Sequence, residues 1–118
     1  MKLICQTCKL EITKEVKELE DIGLLNENDR QDYIPEGFFM IGDGEYTIKP
    51  KDFIIINLKD IKNSGYHPDL RRQQGCCGSD GSNGMNRICS NNHEIGIEIS
   101  DCWLPHLVAL NPETVKFI

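Results

Sequence analysis

"MNRICSNNHEIGIEIS", residues 85–100, is the stretch on which the fold turns. Its second half alternates, with Ile95, Ile97 and Ile99 on one side of an extended chain and Glu94 and Glu98 on the other. Its first half, 85–89, is a second short run, and Ser90-Asn91-Asn92-His93 between the two is rich in turn-forming residues. The pattern predicts an antiparallel hairpin of 85–89 with 94–100 and the isoleucines turned to the core. A slip of one residue would bury the two glutamates instead.

Outward from the hairpin, more strands follow. "FIIINL", 53–58, is a continuous branched run, the signature of a central strand buried on both faces. "FFMI" and "EYTI" flank Gly42-Asp43-Gly44, which reads as a hairpin turn. "LKDIKNSGYHPDLRRQQG" reads as an irregular polar connection, and the terminal "ETVKFI" alternates Val115 and Phe117 against Thr114 and Lys116. Nearer the N-terminus, Ile12, Val16 and Leu19 are spaced by four and three, as on one face of a helix. Thr13 as N-cap and Gly23 as C-cap place that helix at 14–22, with a loop through "LLNENDRQDYIPEG". The expected fold class is therefore α+β: one small domain over 1–118, a mainly antiparallel sheet with one N-terminal helix, stapled by zinc.

Composition narrows the function classes. The chain has 118 residues, 39% hydrophobic and 27% charged, as in a soluble single domain. It lacks a run of eighteen apolar residues and the h-region of a secretory leader, so a cytoplasmic location and no membrane partner are expected. A net charge of −6 disfavours nucleic acid, since binding phosphates requires clustered Lys and Arg and only Arg71-Arg72 are adjacent.

Six cysteines in a reducing compartment point to metal ligands, catalytic thiols or buried small hydrophobes before they point to a disulfide framework. Cys5 and Cys8 have the C-x2-C spacing of a zinc knuckle, half of a tetrahedral shell. Cys89-x3-His93 on the hairpin turn would complete a closed Cys3His site for Zn2+, although neither knuckle has a trailing glycine. Cys76, Cys77 and Cys102 are substitute or second-site ligands, with His106 three residues beyond Cys102. If 94–101 is extended, Cys102 lies about 26 Å from Cys89, at ~3.3 Å per residue. The hairpin then has two poles, one with Cys89 and His93, the other with Cys76 or Cys77, Cys102 and His106, unless a bulge at Gly96 folds the strand back. Of Cys76 and Cys77, one at least is expected to be a buried hydrophobe.

Two enzyme readings compete with the metal site. Cys5 and Cys8 before a helix also describe a thiol redox centre, and Cys77 with His67, His93 or His106 and Asp101 describes a cysteine hydrolase. The redox reading lacks the preceding βα elements that normally support such a centre, and nothing in the spacing selects one triad. "GSDGSNG" lacks the Lys-Ser/Thr ending of a phosphate-binding loop. The reading favoured is a small zinc-stabilised protein-interaction module of immunity or adaptor type. Carboxylates in "KEVKELED", in "NENDRQD" and on strand 94–99 suit a basic protein partner.

"GCCGSDGSNGMNRIC", "HEIGIEISDCW" and the terminal "ALNPETV", with the opening C-x2-C, resemble a group of small bacterial cysteine-rich proteins of unknown function. That group has a CxxC…GCCG…C…DCW-like pattern and a fuller cysteine knuckle near position 89, where this chain has Cys89-Ser-Asn-Asn-His93. The resemblance implies a shared framework and transfers no activity.

Overall fold

The computed structural model describes residues 1–44 and 51–118. Among these residues nine strands follow one another: β1 (Leu3–Cys5), β2 (Lys17–Glu18), β3 (Phe38–Ile41), β4 (Ile54–Ile56), β5 (Ser64–Tyr66), β6 (Arg87–Cys89), β7 (Glu94–Ile99), β8 (Leu107–Leu110) and β9 (Val115–Phe117). β2 to β8 make one seven-stranded sheet in the order β2-β3-β4-β8-β7-β6-β5, antiparallel except for the β2–β3 pair. β1 and β9 form a separate antiparallel ribbon.

The branched run at 53–58 forms the centre, as its sequence predicts. β4 is buried along its whole length between β3 and β8. Its alternation feeds two cores. Ile54 and Ile56 join Val108, Leu110 and Phe39 on one face, where the β1–β9 ribbon adds Leu3, Cys5 and Val115. Ile55 joins Leu107, Ala109 and Ile99 on the other, under Leu19, Tyr33 and Ile34. Each fully buried isoleucine contributes roughly 1.5–3 kcal/mol, so a two-sided sheet compensates for a short chain.

The expected α+β class is overturned: among the described residues there is no α-helix, only short 3-10 turns at Ile22–Leu24, Leu58–Asp60 and Leu70–Gln73. Of residues 14–22, Lys17–Glu18 form β2, Ile22 opens a 3-10 turn, and the rest belong to no regular element. Ile12, Val16 and Leu19 are buried, as a helical face would have been, but their backbone amides donate to Leu3, Met1 and Phe39 carbonyls rather than within the segment. The physical reason is that a nine-residue helix is marginal. Ile12, Thr13 and Val16 are β-branched, and three neighbouring segments offer carbonyl partners. Buried Thr13 adds an acceptor, its Oγ1 taking the Leu3 N–H at 2.9 Å.

The hairpin of β6 and β7 forms with a register shift at Arg87/Ile88, so that Arg87 pairs with Gly96 and Ile88 with Glu94. The shift breaks the expected alternation. Ile97 and Ile99 face one core while Ile95 faces the other. Gly96 is needed there, because a Cβ would lie 2.5 Å from the Ala109 carbonyl oxygen. Glu98, expected in solvent, is buried. Its carboxylate accepts from Arg87 Nη1 at 2.9 Å and Ser100 Oγ at 2.9 Å, with the Tyr66 hydroxyl at 3.2 Å. β5, within the segment expected to be irregular, supplies that tyrosine. The partner strand "EYTI" lies outside the described residues. No described helix is long and apolar enough to cross a membrane.

Candidate metal centre

Two turns build the site. At the end of β1, Cys5 accepts the Lys9 N–H at 2.8 Å and donates its own to Leu10 at 2.9 Å, which folds Cys8 back beside Cys5. At the end of β6, Cys89 accepts the Asn92 N–H at 2.9 Å and donates to His93 at 2.9 Å. No glycine stands in either turn. Lys9 and Asn92 themselves adopt the left-handed backbone, with φ of 64° and 67°. The first turn is held against β9 by Gln6, whose side-chain amide donates to the Val115 carbonyl at 2.9 Å.

Packing of the ribbon on the sheet then brings Cys5, Cys8, Cys89 and His93 together, every ligand atom within 4.8 Å of the others. Cys8 Sγ lies 3.8 Å from Cys89 Sγ, and His93 Nδ1 lies 3.4 Å from Cys89 Sγ and 3.7 Å from Cys5 Sγ. An ion with metal–sulfur bonds of ~2.3 Å and a metal–nitrogen bond of ~2.05 Å sets tetrahedral ligands about 3.8 Å apart for sulfur pairs and about 3.6 Å apart for sulfur–nitrogen pairs. The observed distances match both. Cys5 and Cys89 are buried, whereas Cys8 and His93 are half-buried. These four residues are the set the spacings select, and they could hold a metal ion.

The thiols differ electrostatically. Cys8 is lowered to about 6, first by a hydrogen bond from the Asn91 side chain and then by one from the backbone at Leu10. Burial pushes the Cys89 thiol up. The two shifts run in opposite directions, so of this close pair Cys8 is the one whose thiolate its surroundings favour. Asn91 was not among the expected site residues. Its place inside the C-x3-H turn is the only sequence signal for it.

Cys76, Cys77 and Cys102 gather at the opposite end of β7, as the two-pole geometry requires, and the register shift does not bring Cys102 to Cys89. Two expectations fail here. Cys77 and Cys102 are joined as a disulfide with Cα atoms 5.7 Å apart, although six unpaired cysteines were expected. Cys76 and Cys77 are both exposed, so neither is a buried hydrophobe. Ligation by Cys77 or Cys102 would require that bond to be broken, since thiolates and not disulfide sulfurs bind metals. His106 lines a cleft with Cys77 and Cys102.

The enzyme readings find little geometry. No helix follows Cys8 to lower its pKa, as the redox reading needs. His93 lies away from Cys77, facing Cys5 and Cys89; His67 and His106 line clefts with Cys77, but His67 Nδ1 accepts from Asp69 N–H at 3.0 Å, His106 Nε2 is 3.3 Å from the Asp101 carbonyl, and the Cys77 sulfur is held in a disulfide. Comparison with protein-family models, with curated proteins and with solved structures finds no match. The site therefore stands on its own geometry.

Proposed function

We propose that Cys5, Cys8, Cys89 and His93 bind one Zn2+ as a closed structural site, and that the chain is a small zinc-stabilised protein-interaction module. The single observation that carries the metal reading is the set of tetrahedral sulfur–sulfur and sulfur–nitrogen spacings among four residues drawn from two turns. Three borderline-soft thiolates and an imidazole favour zinc over harder cations. Four protein ligands leave no position for an activated water, which favours a structural role over a hydrolytic one. Zinc would tie the N-terminal ribbon to the β6–β7 turn, across a sequence separation of 81 from Cys8 to Cys89.

The interaction reading rests on charge. Glu94 pairs with Arg72 at 3.1 Å and Glu98 with Arg87, so strand 94–99 offers less free negative charge than its sequence suggests. Glu18, Glu20 and Asp21 remain exposed around a cleft of about 380 Å3 that also contains Leu24 and Phe38. A basic partner with apolar side chains fits that chemistry. Elemental analysis of protein purified without added metal is expected to give one equivalent of zinc, and chelation is expected to lower Tm sharply because binding energy counts toward folding. Absence of stoichiometric metal, with an unchanged Tm under chelator, contradicts the metal reading. A partner retained equally at low and high ionic strength contradicts the charge reading.

A further inference from the structure

The second cysteine group is built around a loop that only glycine can close. A Cβ on Gly75 would stand 1.7 Å from the Gly78 carbonyl oxygen, and one on Gly78 would stand 2.3 Å from that of Ser100. Adjacent Cys76 and Cys77 are thereby fixed against the end of β7. Asp101 fixes them from the other side. Its carboxylate accepts the N–H of Cys76 at 3.1 Å, of Cys77 at 3.2 Å and of Cys102 at 2.7 Å. Three cysteine backbones share one anchor, and their sulfurs lie within 4.8 Å of one another. Two of the sulfurs are bonded and the third, Cys76, is an exposed free thiol. Exposed disulfides are the labile ones, and exchange proceeds by attack of a neighbouring thiolate on one sulfur of the bond.

We propose that Cys76, Cys77 and Cys102 form a thiol–disulfide exchange site whose ligand is a disulfide-bearing compound, taken up on Cys77 as a mixed disulfide. In the first step the Cys76 thiolate attacks Cys102 Sγ. The Cys76–Cys102 bond forms, the Cys77–Cys102 bond breaks, and the electron pair leaves on Cys77 Sγ. In the second step the Cys77 thiolate attacks one sulfur of a disulfide R–S–S–R. The Cys77–S–S–R bond forms, and R–S⁻ leaves and takes up the proton lost by Cys76. Overall the protein passes from one disulfide and one free thiol to two disulfides, and R–S–S–R, reduced to R–SH, is the oxidant, so none beyond the ligand itself is needed.

Cys77 is the acceptor because of where it sits. It lines a cleft of about 480 Å3 together with Tyr66, Leu70 and Ser79, and a second of about 400 Å3 with Arg30 and His106. Leu70 is 83% exposed and Tyr66 56%, an apolar rim for whatever the ligand carries beside its sulfur. Trp103, 70% exposed, follows Cys102. Arg30 supplies a cation for a carboxylate-bearing ligand.

The test uses the full-length metal-loaded protein without reductant at mildly alkaline pH, incubated with oxidised glutathione, quenched in acid, alkylated and mapped by peptide mass spectrometry. Before the probe is added, Cys102 is expected to be found linked to Cys76 in one fraction and to Cys77 in another. With the probe, glutathione is expected on Cys77, and Cys76→Ser is expected to lose that adduct while keeping the Cys77–Cys102 bond. Glutathione on Cys76 alone, with Cys77–Cys102 intact throughout, overturns the proposal. The wild-type map decides the matter even if the variant fails to fold. A disulfide-linked peptide dimer with apolar residues beside its cysteine forms the second arm: faster reaction than glutathione assigns the site to peptides, slower reaction assigns it to small disulfides. Cys5 and Cys8 fall in a different peptide, and cleavage after Glu94 and Glu98 separates Cys89 from Cys102, so the outcome is read independently of the zinc site.

Discussion

Lys9 follows the second cysteine of the N-terminal knuckle with φ of 64°, a conformation that costs a residue with a Cβ about 1–2 kcal/mol. Lys9→Gly is expected to raise stability by about 0.5–1 kcal/mol after glycine's greater loss of chain freedom is counted, read as a higher Tm. A lower Tm would mean that Lys9 contributes more through its surroundings than it loses in its backbone. The knuckle was legible from its C-x2-C spacing without a glycine, and Lys9 and Asn92 adopt the left-handed turn that a glycine would have announced. Asp101 offers a second residue-level test. The Cys76 N–H, followed by those of Cys77 and Cys102, holds its carboxyl below the usual carboxylate range against the opposing effect of burial. A folded pKa below the unfolded value of ~3.9 makes its stabilisation complete above that value and lost as pH falls through the folded one. Asp101→Asn is therefore expected to lower Tm at neutral pH and to flatten the fall of Tm in acid. Parallel Tm–pH curves for the two proteins contradict this assignment.

Among the elements, β7 shows what a strand pattern reveals and what it hides. Its extended form and its pairing with 85–89 follow from alternation, yet the register shift at Arg87/Ile88 depends on Gly96 meeting β8, a contact that no local pattern encodes. Burial of Glu98 likewise depends on Arg87 and Tyr66, brought in by β6 and β5. That ion pair, 2.9 Å long with side chains 10% and 6% exposed, makes a sharp prediction. Arg87→Ala leaves a buried carboxylate unpaired and is expected to cost about 3–5 kcal/mol, whereas replacing the pair by Arg87→Met and Glu98→Leu is expected to restore most of it. Chemical denaturation measures both, and equal losses in the two variants contradict the pairing argument. β8, "LVAL", was not read as a strand from the sequence, because a four-residue apolar run is too short to separate from other core segments. The segment 14–22 misled for a related reason: spacings of four and three place Ile12, Val16 and Leu19 on a helical face, and the same three residues are buried by an irregular extended chain once β3 and the N-terminus supply its hydrogen bonds.

Across the whole molecule, the seven-stranded sheet separates two cysteine groups that the sequence brings close. His93 precedes β7 and Cys102 follows it, so one strand sets the metal group and the disulfide group at opposite ends. The metal group joins segments that share no continuous hydrogen-bonded sheet, since β1 and β9 form their own ribbon. Cross-linking that ribbon to the β6–β7 turn is what a bound ion would add to the packing of the core. The remainder of the function was not legible, because charge and exposed apolar residues describe a surface without specifying its partner. X-ray absorption at the zinc edge, on protein purified without added metal, tests the central claim most directly. The account predicts one zinc per chain with three sulfurs at ~2.3 Å and one imidazole nitrogen at ~2.0–2.1 Å, losing one sulfur to a lighter ligand in Cys8→Ser. A shell of oxygen ligands, or an unaltered spectrum in Cys8→Ser, would contradict it.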